Sequence, residues 1–236
     1  MKIFAISDLH LSTTTDKPMD VFGAAWTDYM QKIEADWRAK VSEEDVVLIA
    51  GDISWAIELS DALKDIAVIA SFPGKKVLIR GNHDYWWHSI SRIRDALPQG
   101  VYALQNDAIR LGNVVITGSR GWSVEGTPEF SEEDARLCLR EAERLRLCFR
   151  SANALKQEGD TLIAMMHFPP FNARREDSLF TAIFEENGVD KVVYGHLHGK
   201  DARADLEIKK KDVTYYLTSC DLVKNTLIKI HETESV

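Results

Sequence analysis

Six short runs of unbroken apolar, mostly β-branched character recur along this chain, and each stops at a glycine or a polar turn. They are KIFAIS (2–7), VVLIAG (46–51), KVLIRG (76–81), VVITGS (114–119), LIAMMHF (162–168) and KVVYGH (191–196). Each has strand length. Absence of polar alternation means strands covered on both faces, the signature of a largely parallel sheet sandwiched between other layers. Helical patterns fill the gaps, among them residues 20–40, 57–71 and 85–97. This alternation predicts an α/β fold. Toward the end, VTYYLTSC (213–220) and NTLIKI (225–230) read as antiparallel strands closing a second sheet. No repeat, low-complexity run or linker divides the chain, so residues 1–236 read as a single domain.

The longest helical pattern runs over about 131–157. Ala135, Leu139, Ala142, Leu145, Phe149, Ala152 and Leu155 recur at three- and four-residue steps along one face. Ser131 with Asp134 three residues on predicts its N-cap. Such a helix either lies on a sheet or forms an inserted cap or dimer element.

Chemistry-bearing residues gather where the predicted strands end. Five of the seven histidines, His10, His83, His167, His196 and His198, stand at or just after these ends, together with Asp8, Asp52, Asn82 and Asp84. Ligands of open α/β sheets bind at the carboxyl ends of strands. Singly, each group has a bland explanation. Asp8 and His10 share a face of an exposed strand end, Asp52 and Asp84 serve as turn or helix caps, Gly81-Asn82 makes a turn, and His167 is a core histidine. Jointly they form one donor set of Asp, Asn and His without cysteine, suited to zinc, manganese or iron. The donors outnumber what one tetrahedral ion takes, so two ions sharing a carboxylate are expected.

The blocks SDLH, AGD, RGNHD, MMH and YGHLHG occur in the order Asp-x-His, Gly-Asp, Gly-Asn-His-Asp, His and Gly-His-x-His, and in this the chain resembles the calcineurin-like metallophosphoesterase family. The resemblance implies a four-layer αββα sandwich of two mixed sheets flanked by helices. It assigns Asp8, His10 and His198 to a first divalent ion and Asn82, His167 and His196 to a second (Mn, Fe or Zn), with Asp52 bridging. His83 would protonate the leaving group and Asp84 would orient His83. The implied reaction is hydrolysis of a phosphomonoester or phosphodiester, by in-line attack of a hydroxide held between the ions. Ile53, Ser54 and Trp55, after Gly51-Asp52, lack the extra acidic or amide residue of some members. An inactive binding scaffold of the same fold and a nuclease are the alternatives; completeness of the ligand set separates the first from an enzyme.

Composition narrows the partners. With 29 basic and 37 acidic residues the net charge is −8. A surface of that sign disfavours non-specific nucleic-acid binding but permits a small phosphorylated substrate at a locally positive site. The opening MKIFAISDLH is too short for a signal-peptide core, no run reaches transmembrane length, and three cysteines make no disulfide framework. A cytoplasmic protein with reduced thiols is expected. Arg174 and Arg175 could grip a substrate phosphate, although Glu176 and Asp177 follow at once. Of Trp86 and Trp87, at least one should enter the core, leaving the other for stacking. The loop 12–23, with Lys17 its single cation, could cover the first metal block, and KKKD (209–212) reads as a hairpin tip.

Overall fold

A computed structural model describes residues 1–199, 202 and 204–233. The first sheet runs, in spatial order, β11 (Ile228–Glu232), β1 (Lys2–Ile6), β2 (Val46–Ile49), β3 (Lys75–Leu78) and β4 (Val101–Ala103). The second runs β5 (Ala108–Leu111), β6 (Val114–Ser119), β7 (Thr161–Met166), β8 (Lys191–Tyr194), β10 (Val213–Leu217) and β9 (Glu207–Lys210). The pairs β1–β2–β3–β4 and β6–β7–β8–β10 are parallel, while β11, β5 and β9 add antiparallel edges. Both sheets are therefore mixed.

The period of two along each strand sorts its residues between layers. Ile3, Ala5, Val46, Leu48 and Val77 of the first sheet meet Val114, Ile116, Ile163, Met165 and Val193 of the second in a shared inner core. The intervening Phe4, Ile6, Val47, Ile49 and Leu78 face outward beneath helices α1 (Tyr29–Lys40), α2 (Leu59–Ala70) and α3 (Ile90–Ala96). Leu162, Ala164, Met166, Val192 and Tyr215 likewise lie beneath α4 (Glu132–Leu155) and α5 (Leu179–Glu186). Helix, sheet, sheet and helix form the four layers of an αββα sandwich, as expected.

Helix α4 is one of those layers, packed on β5, β6 and α5, and does not cap the site. Its cap is the expected reciprocal one: Asp134 N–H donates to Ser131 Oγ at 3.1 Å and Ser131 N–H to Asp134 Oδ2 at 2.9 Å. Its buried face is rotated from the expected one, with Cys138 and Cys148 inside and Leu139 and Leu155 exposed. All three cysteines are buried and unpaired.

Three expectations need correction. The 20–40 helix begins only at Tyr29, because Gly23 (φ 114°) and Asp28 (φ 51°) turn the chain through the left-handed region. The 85–97 helix begins only at Ile90; Tyr85 to His88 form the turn before it. The two last strands do not close one sheet together: β10 lies between β8 and β9, whereas β11 crosses back to the edge of the first sheet beside β1. The KKKD tip does join a hairpin, β9 to β10.

Candidate metal centre

Where β1 ends, its chain leaves the first sheet and touches the second. Ser7 N–H donates to Thr218 O at 2.8 Å and Cys220 N–H to Ser7 O at 3.1 Å, beyond the end of β10. The carboxyl ends of both parallel sets thus meet at one seam. Asp8 and His10 arrive there from β1, Asp52 from β2, Asn82 from β3, His167 from β7, and His196 and His198 from β8.

This convergence strains the backbone. Asp8 (φ 60°), His10 (46°), Asp52 (51°) and His196 (72°) all occupy the left-handed region, costing of order 1–3 kcal/mol each and typical of functional sites. Two glycines make room for the turns. A Cβ on Gly81 would collide with the Asp52 carboxylate, and one on Gly195 with Asp8 and Ser7.

Two donor clusters overlap at Asp8: Asp8, His10 and His198, and Asp8, Asp52 and His167, with the ligating atoms of each within 4.8 Å of one another. Asn82 Oδ1 lies 2.7 Å from His167 Nε2 and 2.9 Å from His196 Nδ1, which draws those three together. His167 Nε2 is 3.4 Å and His10 Nε2 3.8 Å from Asp52 Oδ2. All seven expected ligands therefore meet at the seam.

The electrostatics suit a cation. Burial disfavours charge on Asp8 and Asp52, yet the surrounding histidines hold both carboxyls below their ordinary range. Burial likewise opposes charge on His167, but Asp52 and Asp8 hold it up at about 9. His198 is held up at about 10 against burial by Asp221 and Asp8. His10 and His196, where burial wins, fall to about 4. Among the described residues His10 Nδ1 and His198 Nε2 are buried without a hydrogen-bond partner, so the donor set fits metal ions.

His83 stands half-buried at the rim, its N–H donating to Asp52 Oδ1 at 2.7 Å. Among the described residues Asp84 makes no hydrogen bond to its ring. The Asp84 carboxylate is fully buried and accepts from Gly81 N–H (2.7 Å), Ile53 N–H (2.9 Å), Ser54 N–H (3.2 Å) and Trp86 Nε1 (3.1 Å), clamping the β2 and β3 loops to each other. Tyr85 Oη lies 3.5 Å from the ring's Nδ1, at the limit of a hydrogen bond.

Trp86 and Trp87 are both buried, and Trp87 Nε1 donates to Gln105 Oε1 at 2.7 Å, so neither stacks on a ligand. Trp55 and Trp26 line the site instead. Trp55 stacks on His10 at 4.7 Å and lies 4.6 Å from His83, and Trp26 lies 5.7 Å from His198. The 12–23 loop comes over Trp55, with Lys17 Nζ 4.3 Å above its ring and Met19 Sδ accepting from its Nε1 at 3.3 Å. Sequence reasoning also missed Asp221, whose Oδ1 is 2.9 Å from His198 Nδ1. The only signal for these residues was position: Asp221 follows a predicted strand and Trp55 follows Gly51-Asp52 by three.

Arg174 is exposed and taken up by Glu176, at 2.9 and 3.0 Å. Arg175, paired with Asp205, borders a cavity of about 380 Å³ that shares its wall with the site through His196 and Phe168. The rest of that wall is largely apolar, including Val124, Phe171, Tyr194 and Ile208. No helix among the described residues is long and apolar enough to cross a membrane.

Among solved structures, the protein of unknown function AQ665 from Aquifex aeolicus is similar at 14% identity and a TM-score of 0.53, covering 97% of this chain and 95% of its own. The protein TT1561 of Thermus thermophilus is similar at 10% identity and a TM-score of 0.60, with 96% of each chain covered. These likenesses speak to the fold. Among curated proteins none matches significantly. The family model described as calcineurin-like phosphoesterase matches residues 1–200, the stretch that carries all seven donors and His83, and the chain belongs to that family.

Proposed function

We propose that this chain hydrolyses phosphoesters with the help of two divalent ions (Mn, Fe or Zn). Asp8, His10 and His198 would hold one, Asn82, His167 and His196 the other, and Asp52 would stand between them. The observation that supports this reading is the pair of overlapping Asp/His donor clusters at the seam, with Asp52 Oδ2 lying 3.8 Å from His10 Nε2 of one and 3.4 Å from His167 Nε2 of the other. Bound there, two ions would acidify a water and offset charge on the phosphoryl oxygens.

The chain's own residues supply the remaining tasks. Asp52 fixes the His83 backbone, so the imidazole projects at the rim, where it can give a proton to the departing ester oxygen. Asp84 locks the turn that aims Asn82 and His83 together. Trp55 and Trp26 shield one side of the site from water, which strengthens every electrostatic interaction inside. The apolar cavity beside His196 and Phe168 suits the organic part of the ester.

Hydrolysis of an aryl phosphate and an aryl phosphodiester, with and without added manganese, tests the reading. His83→Ala should keep both ions and lose about 10²–10⁴-fold in turnover, the usual worth of a positioned proton donor. Asp52→Asn should lose bound metal as well as activity. Two tightly held ions in Asp52→Asn would refute the bridge, and absence of metal-dependent turnover across a broad panel would favour a binding scaffold.

A further inference from the structure

A second polar cavity, of about 210 Å³, lies behind the metal-bearing loops, between the segment following β3, the end of β6 and the face of α4. Arg80, His88, Ser119, Arg120, Glu141 and Arg144 line it. None of the seven candidate metal ligands does. Its charges do not balance. Glu141 is buried, and its Oε1 accepts from Arg144 Nη1 at 2.7 Å while standing 3.5 Å from Arg120 Nη2 and 3.9 Å from Arg140 Nε. One carboxylate thus serves three guanidiniums. Arg80 makes no ion pair and no side-chain hydrogen bond among the described residues.

Three polar atoms here are buried without a hydrogen-bond partner among the described residues: Arg80 Nε, Arg120 Nε and Ser119 Oγ. Ser119 is only 6% exposed. Orphaned buried donors are rare, and a cluster of them calls for an unseen partner. The Trp122 ring, 4.8 Å from Arg120 Cζ, holds that guanidinium in place. The cavity is several times the roughly 30 Å³ share of one water. Planar guanidinium forks with a hydroxyl beside them match the geometry of phosphate oxygens.

We propose that this cavity binds a phosphate-type oxyanion, held by Arg80, Arg120 and Arg144 with Ser119 Oγ donating. The site is separate from the metal centre yet joined to it through the backbone. Arg80 is followed by Gly81-Asn82, and the Arg120 carbonyl accepts the N–H groups of His167 at 3.1 Å and Phe168 at 3.0 Å. An occupant would therefore steady the two turns that carry Asn82 and His167. The oxyanion is either a second phosphate of the substrate or a free anion.

Calorimetric titration of inorganic phosphate into the metal-loaded chain tests the site without relying on catalysis. Arg144→Gln, at a half-exposed position on α4, should remove one bound equivalent per chain or weaken it about tenfold or more, and Arg144→Lys should recover part of the loss. Arg80→Gln should act in the same way. Unchanged stoichiometry and affinity in both glutamine variants, with folding verified by circular dichroism, would overturn the proposal. Kinetics then assign the source. A raised KM for a bisphosphate but not for a monophosphate in Arg144→Gln identifies a substrate subsite. Phosphate-dependent turnover of the monophosphate in wild type, lost in the variant, identifies an effector.

Discussion

His198 is gripped at one nitrogen and free at the other. Asp221 Oδ1 takes Nδ1 at 2.9 Å, and its Oδ2 accepts the Gly199 N–H at 2.9 Å, so ring and backbone are fixed by one carboxylate. That leaves Nε2, 3.2 Å from Asp8 Oδ1 and without a hydrogen-bond partner among the described residues, as the atom that would face a metal ion. Such outer carboxylates typically tune metal affinity by about 10–100-fold. Asp221→Asn should weaken metal binding by about that factor in competition with a chromogenic chelator; an unaltered constant would mean the ring is oriented by other contacts. Asp84 makes the contrasting case. Burial, helped by nearby Asp52, pushes its carboxyl up to about 6 although three backbone N–H groups oppose the shift. Its four accepted bonds are structural. In Asp84→Asn an amide hydrogen must face at least one of those donors, costing about 1–3 kcal/mol of stability. Turnover should fall through the displaced loop while the pH at which activity peaks stays put. A displaced pH profile would restore the direct role toward His83 that its place in the sequence suggested.

The six apolar runs became β1, β2, β3, β6, β7 and β8 because burial on both faces leaves a strong local signal. β4, β5 and β9 leave little signal: they are three or four residues long, and the last two are largely uncovered. The seven candidate donors were legible because each block carries its own glycine or histidine spacing. Trp26, Trp55 and Asp221 were not, since nothing local tells a wall residue from a core residue. The start of the 85–97 segment mimics a helix because Trp86 and Trp87 fit a helical period, whereas Asp84 and Gln105 bind their indole nitrogens in a turn. Pairing across the second sheet was equally invisible. Arg110 on β5 meets Asp160, just before β7, through two bonds of 2.7 and 2.9 Å, clipping the edge strand across β6. The Arg110 bonds hold Asp160 below its ordinary 3.8. A carboxyl depressed in the folded state stabilises it above 3.8 and loses that contribution as pH falls through the lower folded value. Asp160→Asn should therefore melt below wild type at pH 7, and the two curves should converge as pH drops beneath 3.8. A gap that persisted in acid would assign the effect to packing.

On the scale of the molecule, the two sheets share one inner core, and among the described residues their carboxyl ends are stitched by backbone bonds through Ser7, Thr218 and Cys220. The candidate metal centre sits on that stitch. Asp8, His10, Asp52 and Asn82 come from the first sheet, and His167, His196 and His198 from the second. Ions bound between them would cross-link the layers and offset the buried carboxylate charge of Asp8 and Asp52. Metal should thus stabilise the whole fold rather than one loop. At 100- to 1,000-fold excess over Kd, one ion contributes about 3–4 kcal/mol, or about 6–16 °C in Tm for a chain of this size. Chelation of the loaded protein should lower a single cooperative transition by about that amount, and Asp52→Asn should show a much smaller drop. Two separate transitions after chelation would instead mean that each sheet with its helices holds together without the seam. The strained left-handed residues of the centre's own loops, Asp8, His10, Asp52 and His196, would then be released with no cost to the layers behind them.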